Sequence, residues 1–181
     1  MLYDQIVEAL LCSMSNPDQL SVPSCPGVYA LFVDNGDALA PFGAAANGLV
    51  YIGKSSNLAQ REFDTHLNSG NTGFSTLRRS IGAILKQQLK LTTLPRGRGT
   101  SSSDFTNYRF DREGEDQLND WMRGNLKISV YADTNYAVVE RDLINGLQPI
   151  LNLTGWPNPN RTKIKALRKA CADEARQRRP T

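Results

Sequence analysis

Apolar and polar positions alternate in two rhythms along the chain. Residues 3–14 read as an amphipathic helix. Pro23 and Pro26 then break the chain before GVYALFVD, residues 27–34, whose aromatic and β-branched residues predict a strand. A loop of small residues at 35–48, punctuated by Gly36, Pro41, Gly43 and Gly48, leads to a second strand in LVYIGK. The two strands pair most simply as antiparallel neighbours with an unusually long connection.

Helical spacing returns after that strand. Ser55 or Ser56 would cap a helix running to about Ser69, with Leu58, Phe63 and Leu67 as its apolar stripe. Residues 75–91 place Leu77, Ile81, Ile84, Leu85 and Leu89 on one face, with Gly82 a weak point. PRGRGTSSSDF reads as a flexible basic loop. GEDQLNDWMRGNL predicts a short helix burying Leu118, Trp121, Met122 and Leu126. KISVYAD, 127–133, alternates as a third strand. TNYAVVERDLINGLQ is a helix capped near Thr134 and stopped before Pro149. A terminal helix presents Ile164, Leu167 and Cys171. The expected architecture is α+β: a small three-stranded antiparallel β-sheet flanked by several helices.

Composition narrows this picture little, and charge narrows it more. The chain has 181 residues, 40% of them hydrophobic, enough for a real core in one domain. No apolar run reaches the ~18 residues of a membrane span, so no membrane partner is expected. The N-terminal stretch, with Asp4 and Glu8 among its apolar residues, reads as a helix of the fold and not as a signal peptide. Cys12, Cys25 and Cys171 form neither a zinc spacing nor a disulfide framework, which suits a reducing, cytoplasmic setting. The net charge of +3 divides unevenly: residues 161–181 carry +6 and the rest −3. That basic end is a candidate phosphate contact or a solubilising helix end.

Several polar residues exceed what a plain scaffold needs. Tyr29 and Tyr51 sit in the two leading strands. Lys54 lies where strand gives way to helix, a place where backbone N–H groups also face anions. Arg61, with a planar and permanently charged fork, follows on that helix. His66 is the sole histidine, and its side chain titrates near neutrality. Glu140 has Leu143 and Ile144 one turn ahead and Tyr136 one turn behind, the apolar side of its helix. A carboxylate there needs a salt bridge, a proton or a metal ion.

Taken with their spacing, PGVYALFV and GLVYIGKSSNLAQR resemble the GIY-YIG nuclease domain. Its two signature tripeptides appear as Gly27-Val28-Tyr29 and Tyr51-Ile52-Gly53, the first with Val in place of Ile. The family pattern continues through Asn57 and Leu58 to Arg61, then asks for a His, a distant helical Glu and a closing Asn; His66, Glu140 and Asn152 stand there. The resemblance spans about residues 26–153, with insertions at 35–48 and 92–126, between an N-terminal lead-in (1–25) and a basic C-terminal helix (154–181). The loop between the tripeptides is longer than the family usually has. His66 follows Arg61 by five positions where the family more often has four, which on a helix turns the two side chains apart by roughly 140°.

What the resemblance implies is metal-dependent hydrolysis of a DNA phosphodiester. Glu140 would hold one Mg²⁺ or Mn²⁺, stabilising the leaving 3′ oxygen. Arg61 and Lys54 would face the non-bridging oxygens. Tyr29 or Tyr51 would help deprotonate the attacking water, and His66 would complete the catalytic set. Gly27, Gly53, Asn57 and Asn152 would support the site. Arg78, Arg79, Arg96, Arg98, Lys163, Lys165 and Arg168 are candidate contacts to double-stranded or branched DNA. The residues leave open a restriction-like or repair-like role, and a monomer or a homodimer. A catalytically silent nucleic-acid binding module on the same fold is the alternative.

Overall fold

The computed structural model describes residues 2–19, 21–61, 70 and 72–178, and of Leu2, Gln60 and Arg61 the backbone only. Phe63, His66, Leu67 and the expected helical stretch to Ser69 lie outside the described residues. The fold is mixed α+β, and it divides into two compact units: Met1–Phe63 with Arg123–Pro159, and Asp64–Met122 with Asn160–Thr181.

The first unit holds the sheet. Strand β1 (Gly27–Val33) is central, flanked by β2 (Leu49–Ser55) and, further along the chain, by the strand Leu126–Ala132, numbered β5 in chain order. Both pairings are antiparallel. Every residue of β1 is buried, because both of its faces and both of its edges are covered. A register shift between Leu31 and Phe32 marks a bulge against β2. Val28, Ala30, Phe32 and Ile52 share one face, where Ile6 and Leu10 of α1 (Leu2–Cys12) and Leu143 and Ile144 of α6 (Tyr136–Leu147) close over them. Strand alternation turns Tyr29, Leu31, Tyr51 and Gly53 to the opposite face. The N-cap position of α6 falls on Asn135, one residue beyond Thr134, without a side-chain cap bond. Helix α2 begins at Leu58 and runs to Arg61. Neither serine caps it: Ser55 ends β2 and turns its hydroxyl onto the backbone of Asn57.

The second unit is built on α3 (Thr76–Leu85), α5 (Arg112–Asn125, as far as Met122) and α7 (Arg161–Gln177), with a two-stranded ribbon of β3 (Thr93–Leu94) and β4 (Arg109–Phe110). Ser75 caps α3, accepting from the Arg78 N–H. The helix stops at Leu85, short of the expected residue 91. Lys90 is in the left-handed region (φ 52°), and Leu91 N donates back to Lys86 O. Residues 95–105 were expected as a flexible loop. Instead Ser101 and Asp104 form a capping box that starts α4 (Ser102–Thr106). Trp121 is only half-buried, while Leu118 and Met122 are fully enclosed. On α7, Ile164, Cys171, Ala172 and Ala175 face inward and Leu167 is half-buried.

Gly82 has a packing role. A Cβ there would meet the Phe110 ring at 2.3 Å, so the glycine lets that aromatic lie against α3.

Candidate functional site

Strand β2 organises the first unit's polar residues. Tyr51 packs beside Tyr29, with ring centroids 6.1 Å apart and planes tilted by 38°. Tyr29 is 1% exposed, and Tyr51 is half-buried. The Tyr29 ring and hydroxyl fill the space where a Cβ of Gly53 would stand, with atoms at 2.3 Å. Gly27 is equally hemmed in: its Cβ would meet Tyr131 O at 2.3 Å and Leu58 Cδ1 at 2.7 Å. Both glycines are therefore places where another chain element passes closer than any side chain allows.

On the face that α6 covers, Lys54 Nζ lies 2.6 Å from Glu140 Oε2. Lys54 belongs to β2 itself and not to the turn after it. Its side chain is 42% exposed and that of Glu140 19%. Of the salt bridge, proton or metal ion that the pattern called for, the carboxylate on the apolar side of α6 has the salt bridge, with a lysine as its partner. The structure brings together two pairs, Tyr29 with Tyr51 and Lys54 with Glu140, on opposite faces by strand alternation and both anchored on β2. Arg61 is the last residue of α2 and has only its backbone described; His66 lies outside the described residues. Leu58, which opens α2, donates its N–H to Cys25 O at 2.9 Å, and so ties the segment carrying Asn57 and Arg61 to the lead-in before β1.

Asn152 holds the outer edge of β2. Its Oδ1 accepts from Ile52 N at 2.8 Å and its Nδ2 donates to Ile52 O at 2.7 Å. Leu151 N donates to Val50 O one step along the same edge. Asn158, also buried, donates from Nδ2 to Ile150 O and Asn152 O, which fixes the bracing segment.

The cations of the second unit divide by burial. Arg78 and Arg79, expected on the surface as phosphate contacts, are inside at 0% and 6% exposure. Arg78 Nη2 lies 3.0 Å from Glu115 Oε2, and burial lowers the Arg78 pKa against the pull of that carboxylate. Arg79 donates to Thr72 O and Gly73 O, and its pKa is lowered to about 10 by burial first and then by the charge of Arg168. Neither guanidinium has surface to offer a phosphate, which corrects that expectation. Arg96 is half-buried, donating to Gly73 O. Arg98, Lys163 and Lys165 are exposed and Arg168 is half-buried. Lys165, Arg168, Lys169 and Arg176 line, with Thr106, a groove of about 410 Å³.

Sequence reasoning missed Glu115. Its two oxygens accept from Arg78, Thr72 Oγ1, Gly70 N and Phe110 N, which makes it the polar hub of the second unit. The signal was available: Leu118 and Met122 stand three and seven positions on, the buried side of that helix.

Among the described residues no helix is long and apolar enough to cross a membrane. A family model described as the GIY-YIG catalytic domain matches residues 27–173. No curated protein and no solved structure matches the chain.

Proposed function

The chain belongs to the GIY-YIG family, a family of nucleases that act on nucleic acid, and from that premise we propose that it is a divalent-metal-dependent DNA endonuclease, restriction-like or repair-like. The observation that carries the reading is the Glu140 carboxylate, held 2.6 Å from Lys54 Nζ at the end of the strand that also bears Tyr51.

The residues suit one hard cation. Glu140 offers carboxylate oxygen, the donor that Mg²⁺ and Mn²⁺ prefer, and Mg²⁺ keeps several waters and needs only one or two protein carboxylates. Among the described residues no three His, Cys, Asp or Glu side chains gather into a fuller ligand set, and Glu140 is the one carboxylate that the family pattern places at the site. When bound, such an ion supplies positive charge at the leaving 3′ oxygen.

The chain's own groups do the rest. Lys54, partnered by Glu140 but 42% exposed, is within reach of solvent to meet a non-bridging phosphate oxygen. Arg61, at the end of α2, adds a planar guanidinium for the charge that grows in the transition state. Tyr51 is the more accessible of the two tyrosines and takes the proton of the attacking water. An ordinary phenol titrates near 10, so it serves as a base near neutrality only where cations, here the bound metal ion and Arg61, favour its charged form. Tyr29 packs against it, and Asn57 and Asn152 hold the backbone. His66 is assigned on the family pattern. Arg96, Arg98, Lys163, Lys165 and Arg168 track phosphates without reading bases. A monomer would cut one strand at a time, and a homodimer could cut both. The three cysteines are free thiols, which suits a cytoplasmic setting.

The test is incubation of the purified chain with supercoiled plasmid, with Mg²⁺ or Mn²⁺ and with neither, beside Glu140→Ala. Metal-dependent nicking or linearisation, lost in the variant, is expected. Cleavage by the variant at the parent's rate removes Glu140 from the site. DNA binding without cleavage of plasmid, branched or damaged substrates identifies the silent binding module.

A further inference from the structure

The second unit carries a feature that phosphate contact does not explain. Phe74 is 66% exposed, at the end of the 3-10 turn Thr72–Phe74. Single exposed apolar residues are ordinary on a protein surface. This one differs in what holds it. Thr72 and Gly73, the two residues before it, are buried. Arg79 Nη1 donates to Thr72 O at 3.2 Å and to Gly73 O at 2.9 Å. Arg96 Nη1 donates to the same Gly73 O at 3.2 Å. The Thr72 hydroxyl donates to Glu115 Oε2 at 2.8 Å and accepts from Arg78 Nε at 3.2 Å.

Three arginines and a buried glutamate therefore fix a turn whose outward product is one aromatic ring. The ring is thus carried on a turn that buried side chains hold in place.

Arg96 completes the arrangement. Its Cζ lies over the Phe74 ring, 5.0 Å from the centroid. Its stem crosses Gly73 so closely that a Cβ there would meet Arg96 Cδ and Cγ at 2.7 Å. Asp104 lies near enough to feel the Arg96 charge, but its carboxylate is held by the N–H groups of Thr100 and Ser101 in its own capping box. The charge of Arg168 is felt at Arg79, so further cationic charge lies at the base of the turn. A flat ring open to solvent with a guanidinium against it, set among phosphate-attracting charge, has the composition of a base-stacking platform.

We propose that Phe74 and Arg96 form a site for an unpaired nucleobase, and that the chain's preferred substrate is DNA carrying an unstacked base, such as a bulge, over plain duplex. In a duplex each base is already stacked on both sides, and the ring has nothing to receive without unstacking a step. The proposal rests on the nuclease reading above, because it takes DNA as the ligand.

The test uses the full chain in EDTA, so that binding is read without cleavage. Fluorescence anisotropy compares a plain duplex with the same duplex carrying one unpaired thymine. The bulged duplex is also made with 5-iododeoxyuridine at the unpaired position and photocrosslinked, and the joined residue is found by mass spectrometry. The parent is expected to favour the bulge and to crosslink at Phe74. In Phe74→Ala the ratio of bulged to plain affinity falls by about 5- to 150-fold, the scale of one lost base–aromatic stack. Phe74→Trp keeps the ratio. An unchanged ratio in Phe74→Ala, or a crosslink confined to other residues, overturns the proposal while leaving the nuclease reading intact. Parent protein that binds neither duplex, and cleaves no DNA with metal, overturns both.

Discussion

Asn152 offers the sharpest test of how the fold holds its candidate site. A side-chain carboxamide is chemically a peptide group, and this one stands in for a fourth strand. Both Ile52 polar groups point away from β1, as the two bonds to Asn152 require. Asn152 is 8% exposed, so Asn152→Ala leaves an N–H and a C=O with little water to replace the lost partners. A buried unsatisfied polar group costs about 1–3 kcal/mol. Two such groups set an upper range of about 6 kcal/mol, and water entering the space left by the amide offsets part of it. The expected loss is about 2–4 kcal/mol, read from urea unfolding followed by far-UV circular dichroism. Asn152→Asp separates hydrogen bonding from packing. Its ionised carboxylate accepts from Ile52 N but opposes Ile52 O, and only the protonated acid donates to that oxygen. Burial and the facing carbonyl raise its folded pKa above the unfolded value. Its stability is therefore fully present below the unfolded carboxyl range, near 4, and is lost as pH rises through the folded pKa. The gap to the parent should be wide at pH 7 and narrow at pH 3. A loss under about 0.5 kcal/mol in the Ala variant, or a gap that ignores pH in the Asp variant, refutes the reasoning.

Two further outcomes follow from the second unit. Glu115→Ala strands Arg78, which is 0% exposed, and should cost about 3–5 kcal/mol in urea unfolding, while Arg78→Met with Glu115→Leu recovers much of that; a single-variant loss below about 1 kcal/mol would contradict the hub. The Glu174 carboxyl is pushed up by burial but held below its ordinary value by the Lys86 ammonium, 2.8 Å away, and the Thr93 N–H. A depressed acid contributes above its unfolded pKa and loses that contribution as pH falls through the folded one. Unfolding midpoints of the parent and Glu174→Gln should therefore differ at pH 7 and converge below about pH 4, and parallel curves would remove the pair as a source of acid sensitivity.

The three strands of the main sheet were legible because each is a run of aromatic and β-branched residues bounded by breakers, and buried strands leave that mark. What escaped depends on partners distant in sequence or on competing local signals. PRGRGTSSSDF reads as loop by its Gly and Ser content, yet Ser101 and Asp104 have capping-box spacing and start a helix. The helix after Ser75 continues on paper to 91 because no Gly or Pro stops it; instead it ends at Leu85 and residues 86–90 form a turn that closes with Lys90 in the left-handed region. Arg78 looked like a surface cation although Ile81 and Leu85 lie three and seven positions on, which places it on the apolar face. The same argument singled out Glu140, whose partner proved to be Lys54. That pairing depends on how α6 meets β2, which no local pattern encodes.

The placement of polar groups around β2 has a common physical cause. A strand at the end of a sheet exposes a row of backbone groups and is free to twist, slip or recruit another chain. A strand that carries Tyr51 on one face and the Lys54–Glu140 pair on the other tolerates none of these under the proposed function, since misplacement of a reacting group by about 1 Å can cost on the order of 10²-fold in rate. On its inner side β2 is registered against β1, and Gly53 lets Tyr29 lie flat on it. On its outer side Asn152 and Leu151 occupy the edge at Ile52 and Val50. The opposite edge of the sheet is tied as well, where Ser15 and Ile128 exchange both backbone bonds. Residues that look extravagant in a scaffold, a buried Asn among them, are those that remove the remaining freedom of the strand.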